Sequence, residues 1–141
     1  MNRCATSSKS SRQRWIALAI ASAAALAALV PLSAEARRFP INALRGKIVF
    51  TNPPDIELNG DPARLSPGVR IHGFDNMMVV TGAVAGTGRK YVVDYTVESL
   101  GLVSEIWLLT PDEADVSPWP RDKAEAGKWT FDYMAQTWTK P

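Results

Sequence analysis

The chain has 141 residues and a formal net charge of +2, from 16 basic and 14 acidic side chains. This near-balance lacks the large basic excess by which proteins bind nucleic acid, so we expect no nucleic-acid partner. Beyond a targeting segment, the length allows one small domain and not two.

Residues 1–36 have the pattern of a secretory signal peptide. A basic segment precedes an apolar run over residues 15–32, which Pro31 interrupts. Ala34 and Ala36 then supply the small residues that a signal peptidase recognises, so we expect cleavage after Ala36. A retained anchor is the alternative, although the run is shorter than the roughly 20 apolar residues of a membrane span.

Cleavage would leave residues 37–141 with a different charge and no cysteine. The 16 basic and 14 acidic side chains become 12 and 13, a formal charge of −1. The single cysteine, Cys4, lies in the removed segment and ahead of its apolar run, which excludes a lipoprotein, a disulfide and thiolate chemistry. A small exported domain without disulfides depends on packing alone, which favours a closed fold. We expect no stable membrane span after cleavage.

Period-two alternation predicts an all-β domain over residues 47–115, after an irregular leader over residues 37–46. The first strand is predicted at Lys47–Thr51 and is interrupted by Pro53-Pro54. Asn59-Gly60 is a preferred sequence for a two-residue type I′ hairpin turn.

The register of that hairpin places Asp55 opposite Arg64 as a cross-strand ion pair. Asp61-Pro62 predicts an edge or a bulge in the returning strand, and Ser66-Pro67-Gly68 predicts a turn. Further strands are predicted at residues 69–72, 77–81, 91–98 and 102–109. This density of strands is typical of a five- to six-stranded OB-like barrel or of a sandwich. We favour the barrel because closure removes exposed sheet edges.

The end of the domain changes pattern. Thr110 to Glu113 has the sequence of a capping box with proline at the first helical position, and predicts a short helical turn. Capping explains the clustered acidic residues better than a metal site does.

Residues 116–141 form an aromatic-rich tail, in which Trp129, Phe131 and Tyr133 alternate and allow a last strand at Lys128–Met134. Two interpretations stay open for its rings. They can fold back and seal the barrel, or they can form a surface for a partner or a glycan. A disordered tail is a third option, but disordered segments are poor in aromatic residues.

Few residues offer chemistry. His72 is the only histidine, and we place it with Arg70 on the polar, solvated face of a strand. The sequence has no cluster of ligands at a spacing that would bind zinc. Copper(I) accepts thioether sulfur, but Met77 and Met78 are consecutive in a predicted strand and face opposite sides, so we predict core methionines. We expect no catalytic residue, no metal and no cofactor, and a protein that is not an enzyme.

The chain resembles small exported proteins of proteobacteria that carry no assigned function, and its layout is similar to the OB-like barrels of bacterial envelope proteins. Four segments carry the resemblance: Gly46-Lys47-Ile48, Leu58-Asn59-Gly60, residues 65–71 and residues 106–113. The resemblance implies a periplasmic location and carries over no catalytic residue.

These observations predict a non-enzymatic exported module that binds another envelope protein. The alternative is a barrel that binds a small ligand or a glycan on a face that includes Tyr91. The candidate binding residues are Arg70, His72, Trp107, Trp119, Trp129, Tyr133 and Trp138.

Overall fold

In the computed structural model, the described residues are 36–141. The predicted signal peptide, including Ala34, lies outside them except for its last residue, Ala36. None of the helices within residues 36–141 combines the length and the apolar character needed to cross a membrane.

A closed barrel of five strands dominates the structure. The strands are β1 (Leu44–Asn52), β2 (Asp55–Leu58), β3 (Asp61–His72), β4 (Lys90–Val97) and β5 (Val103–Leu108). Around the barrel they follow the order β1-β2-β3-β5-β4, and β4 returns beside β1. Three consecutive strands with a fourth beside the first form a Greek key, and a five-stranded Greek-key barrel is the architecture of OB-folds. The prediction of a small all-β barrel is confirmed.

Alternate side chains of the strands fill the barrel. In β1, Ile48 and Phe50 point inward, as the alternation predicts, and are almost completely buried. A fully buried side chain of this size contributes roughly 1.5–3 kcal/mol of transfer free energy. The other interior residues include Leu44, Ile56, Leu65, Ile71, Tyr91, Val93, Tyr95, Val103, Ile106 and Leu108.

The hairpin between β2 and β3 has the predicted geometry. Asn59 and Gly60 have φ values of 57° and 96°, and Leu58 pairs with Asp61 across the two-residue turn. Asp55 lies opposite Arg64, as predicted, and its Oδ1 is 3.5 Å from Arg64 Nε. Both side chains are about two-thirds exposed, so the pair contributes less than ~1 kcal/mol.

The sequence predicts an edge or a bulge at Asp61-Pro62, and the structure has the edge. Residues 61–64 pair with β2 in regular register, and the ladder to β5 begins only at Leu65. The turn predicted at Ser66-Pro67-Gly68 is wrong, because β3 continues through these residues. The irregularity lies instead between Leu65 and Arg70, where the parallel ladder to β5 shifts register. Pro67 is tolerated there because its missing N–H falls where the ladder to β5 is interrupted.

The strand predicted at residues 77–81 does not form. Met78 makes a single β-bridge to His72, and the chain then enters the helical turn α1 (Thr81–Val84). The apolar residues of this segment have the sequence pattern of a strand, but they lie on a loop outside the barrel. Met77 and Met78 are therefore 67% and 59% exposed, and their prediction as core residues is wrong.

The helix predicted after the barrel is confirmed as α2 (Pro111–Asp115) with a complete capping box. Glu113 Oε2 accepts a hydrogen bond from the Thr110 N–H at 2.9 Å, and Thr110 Oγ1 accepts one from the Glu113 N–H at 3.4 Å. A third helix, α3 (Lys123–Ala126), begins at an Asp122 cap.

The tail packs against the outside of the barrel. Its last strands, β6 (Thr130–Asp132) and β7 (Thr137–Thr139), form a hairpin. The strand predicted at Lys128–Met134 is confirmed over the three residues of β6 only. Trp119 and Trp138 are buried in a second apolar cluster with Phe39 and with Trp107 of β5. Trp119 and Trp138 therefore fold back onto the barrel, as the first interpretation of the tail predicts.

Candidate functional site

A groove of about 570 Å³ lies on the outer face of β1 and β4, bordered by the β2–β3 turn and by residues 114–121. β1 contributes its outward side chains, and the register sets Lys47 opposite Val92 and Val49 opposite Lys90. Lys47 and Lys90 are therefore diagonal neighbours on one face, a relation that places residues roughly 7–8 Å apart. The lining includes four basic residues and one acidic residue: Arg45, Lys47, Lys90, Arg121 and Glu57.

Arg45 lines the groove and forms a buried ion pair with Asp94, which lies directly opposite it in the β1–β4 ladder. Arg45 Nε and Nη2 donate to the two carboxylate oxygens at 2.9 and 3.1 Å. Arg45 Nη1 donates to the Ala114 and Val116 carbonyls. The guanidinium carbon also lies 4.6 Å from the Trp119 ring centroid, a cation–π contact. Arg45 thus connects the barrel to the chain that covers it.

Burial of Asp94 dominates its titration. The side chain has no exposed surface, and the resulting loss of hydration raises its pKa to about 6, although the hydrogen bonds and charge of Arg45 act to lower it. A carboxyl group with no exposed surface cannot meet a ligand, so this raised pKa belongs to the scaffold of the groove.

The other three basic side chains of the groove are free. None of Lys47, Lys90 and Arg121 forms an ion pair with a carboxylate of residues 36–141. All three residues are exposed. The groove therefore holds an excess of unpaired positive charge on a domain whose formal charge is close to zero, which favours anionic ligands.

Polar neighbours complete the wall of the groove. Asn59 Oδ1 accepts a hydrogen bond from the Lys47 N–H at 2.8 Å, which fixes the turn against β1. This contact depends on Gly46, because a Cβ there would lie 2.8 Å from Asn59 Oδ1 and 3.0 Å from Tyr95 Cε1. Ser117 is a further polar residue of the lining.

Three of the candidate residues that the sequence singles out lie together on β3 and β5, away from the groove lining. His72 Nε2 lies 2.9 Å from Glu105 Oε1, and its ring is stacked on Trp107 with centroids 5.4 Å apart. Arg70 is exposed, and its Nη2 lies 3.4 Å from Glu105 Oε2. The expectation that His72 lies in solvent is wrong, because Glu105 and Trp107 leave its side chain only 19% exposed.

The aromatic candidates differ in exposure. Trp107, Trp119 and Trp138 are buried, so their rings stabilise the packing and offer little surface to a partner. Trp129 is half-buried beneath Lys140, whose Nζ lies 5.1 Å from its ring centroid. Tyr133, at the tip of the β6–β7 hairpin, is 52% exposed.

Sequence reasoning missed Lys47, Lys90 and Arg121. Nothing in the sequence around each of them distinguishes it from other surface cations. Only the pairing of β1 with β4 and the return of the tail bring the three side chains together. The alternation indicates that Lys47 and Lys90 lie on polar strand faces, but the pairing of two strands about 40 residues apart is a long-range feature that local patterns do not specify.

Within residues 36–141, no group of three or more His, Cys, Asp or Glu side chains is placed to hold a metal ion. Comparison of the chain with models of protein families, with curated proteins and with solved structures finds no significant match.

Proposed function

We propose that the protein is a non-enzymatic, periplasmic binding module whose groove binds an acidic glycan of the cell envelope. The observation that carries the proposal is the cluster of three unpaired cations, Lys47, Lys90 and Arg121, around one groove. The groove volume of about 570 Å³ falls within the range of small-molecule sites, roughly 300–1,000 Å³.

A sugar carrying carboxylates or phosphates suits this lining better than an apolar ligand does. The cations would pair with the anionic groups, while Asn59 and Ser117 lie where they can bind hydroxyl groups. Trp119, the aromatic ring of the lining, is buried beneath Arg45. Affinity would therefore come from charge and hydrogen bonds, and would weaken as salt screens them.

We propose binding rather than catalysis because the groove lining offers few groups that could act as a general base. The only histidine of the chain, His72, is not among the lining residues, and the carboxyl of Asp94 is committed to Arg45. A general base needs to reach the reacting group of the substrate, and Glu57 is the only carboxylate in the groove lining.

Docking of another envelope protein is the second candidate function. Tyr133 and Met134, at the tip of the β6–β7 hairpin, are 52% and 78% exposed. Exposed aromatic residues are enriched at protein interfaces, so this tip is the surface on which a partner would dock.

A calorimetric titration tests the glycan proposal. The probe is a hexamer of galacturonate, with maltohexaose as the neutral control and hexaglutamate as the acidic peptide of equal length. We expect the galacturonate hexamer to bind, maltohexaose not to bind, and hexaglutamate to bind more weakly. Binding of maltohexaose alone, of hexaglutamate as tightly as the sugar, or of no probe would contradict the proposal.

Two double variants locate the binding site. Lys47→Gln/Lys90→Gln removes two groove cations, whereas Lys123→Gln/Lys128→Gln removes two exposed cations outside the groove lining. A charge-assisted hydrogen bond contributes about 1.5–3 kcal/mol, so the first variant should weaken binding at least tenfold. The second should leave it within about twofold. Equal losses would mean that the net charge of the domain, and not the groove, attracts the sugar.

A further inference from the structure

The β-bridge between His72 and Met78 brings an imidazole next to a thioether. The Gly73 N–H donates to the Met77 carbonyl and the Val79 N–H to the Ile71 carbonyl, both at 2.8 Å. These bonds flank the bridge, so His72 and Met78 form a non-hydrogen-bonded antiparallel pair. In such pairs the Cα atoms are about 4.5 Å apart, and the two side chains project from the same face.

The contacts of His72 leave one ring nitrogen available. Its Nε2 lies 2.9 Å from Glu105 Oε1, and an ionised carboxylate can only accept, so Nε2 carries the proton. In the neutral imidazole Nδ1 then holds the lone pair, and no hydrogen bond joins it to any of the residues 36–141. A carboxylate that fixes the far nitrogen of a histidine is the usual arrangement behind a metal-binding imidazole.

The ring of His72 is also held in place. It stacks on Trp107 with an interplanar angle of 7° and a centroid distance of 5.4 Å. Preorganisation of this kind lowers the entropy that the ring loses when it binds a ligand.

Met78 supplies a soft donor that the barrel core does not use. Its side chain is 59% exposed, and its Sδ, like Nδ1 of His72, is two bonds beyond Cβ. The two donor atoms can therefore approach one ion from neighbouring positions on the same face. Thioether and imidazole ligands select soft ions, above all Cu(I), over Mg²⁺ and Ca²⁺, which prefer oxygen.

We propose that His72 Nδ1 and Met78 Sδ form a binding site for a soft monovalent ion, Cu(I) or its analogue Ag(I), with Glu105 as a positioning residue. Met77 does not belong to the site, because its side chain leaves the backbone on the side opposite to that of its neighbour. The site is independent of the basic groove, and its failure would leave the glycan proposal untouched.

Silver tests the site without redox chemistry. The protein is labelled with [methyl-13C]methionine in a Cys4→Ser background, so that no thiol competes, and titrated with silver nitrate in chloride-free buffer. We expect the Met78 methyl resonance to shift and to saturate at one equivalent, while those of Met1, Met77 and Met134 stay in place. Equal shifts of all four, or no shift of Met78 at one equivalent, would overturn the proposal.

Variants then assign the ligands by their effect on the Ag(I) affinity. Met78→Leu and His72→Gln should each weaken binding at least tenfold, and the matched control Met77→Leu should leave it unchanged. Glu105→Gln should weaken it by about 10–100-fold, as is usual for the partner of a ligating histidine. A loss in Met77→Leu equal to that in Met78→Leu would contradict the assignment, as would unchanged affinity in either Met78→Leu or His72→Gln.

Discussion

Arg45 holds the carboxylate of Asp94 with two hydrogen bonds, of 2.9 and 3.1 Å, on the outer face of the barrel. A residue on that face would ordinarily be hydrated, but the chain over residues 114–119 covers the pair and leaves Asp94 without exposed surface. The same guanidinium bonds hold this covering chain against the barrel, so the pair shapes the groove above it. Four predictions test the scaffold of the groove.

Arg45→Met should lower the free energy of unfolding by about 3–5 kcal/mol, because it leaves a buried carboxylate without its partner. The matched control is Arg64→Met, which breaks the exposed pair with Asp55 and should cost less than ~1 kcal/mol. Urea denaturation measures both. Arg45→Met/Asp94→Asn should recover part of the loss, since it buries no charge, and similar losses in the two single variants would refute the role of the pair.

The stability of the protein should depend on pH through Asp94. Its pKa is about 6 in the folded state and 3.8 when unperturbed, so the folded chain binds the extra proton between those values. The contribution of Asp94 to the free energy of unfolding is therefore greatest below pH 4. It falls by up to about 3 kcal/mol as the pH rises to about 6.

Asp94→Asn serves as the reference for this dependence, because its side chain does not titrate. The difference in unfolding free energy between the native chain and this variant should change across pH 4–6 and stay constant above pH 7. A constant difference across the whole range, or a native chain that gains stability relative to the variant as pH rises, would contradict the pKa of Asp94.

Two buried tryptophans of the tail should respond differently to replacement by phenylalanine. Trp119 Nε1 donates to the Ala43 carbonyl at 3.1 Å, whereas Trp138 Nε1 is buried without a hydrogen-bond partner. Trp119→Phe loses a hydrogen bond and weakens the cation–π contact with Arg45, so it should cost about 1–3 kcal/mol more than Trp138→Phe. Thermal denaturation of the two variants measures the difference, and a greater loss in Trp138→Phe would contradict this packing.

Gly46→Ala should destabilise the protein by about 1–3 kcal/mol, because the added methyl group would press on Asn59 and Tyr95. Gly68→Ala is the control, since a Cβ there meets nothing within 4 Å, and should change stability by less than ~0.5 kcal/mol. If the two substitutions cost the same, the close approach of the β2–β3 turn to β1 is not needed.

Local patterns predicted much of this fold. Asn59-Gly60 specifies its turn through two positive φ values, and Thr110 with Glu113 specifies a helix start, because each depends on neighbouring residues only. The prediction of a strand with core methionines at Met77 and Met78 is wrong because periodicity does not reveal whether an apolar segment faces the core. The loop between Gly73 and Met77 turns these side chains outward.

The candidate site could not be predicted in the same way. Lys47 and Lys90 become neighbours through the β1–β4 pairing that closes the barrel, and Arg121 joins them because the tail returns across Arg45. Such proximity depends on contacts between distant segments, and a single cation in a strand carries no sign of it.

Amide chemical shifts of the protein with the bound galacturonate hexamer would show directly whether the groove is the binding site. We expect shifts confined to residues 45–49, 57–60, 90–92 and 114–121, with smaller shifts as salt is added. Shifts concentrated at residues 132–136, or spread over all exposed cations, would contradict this expectation.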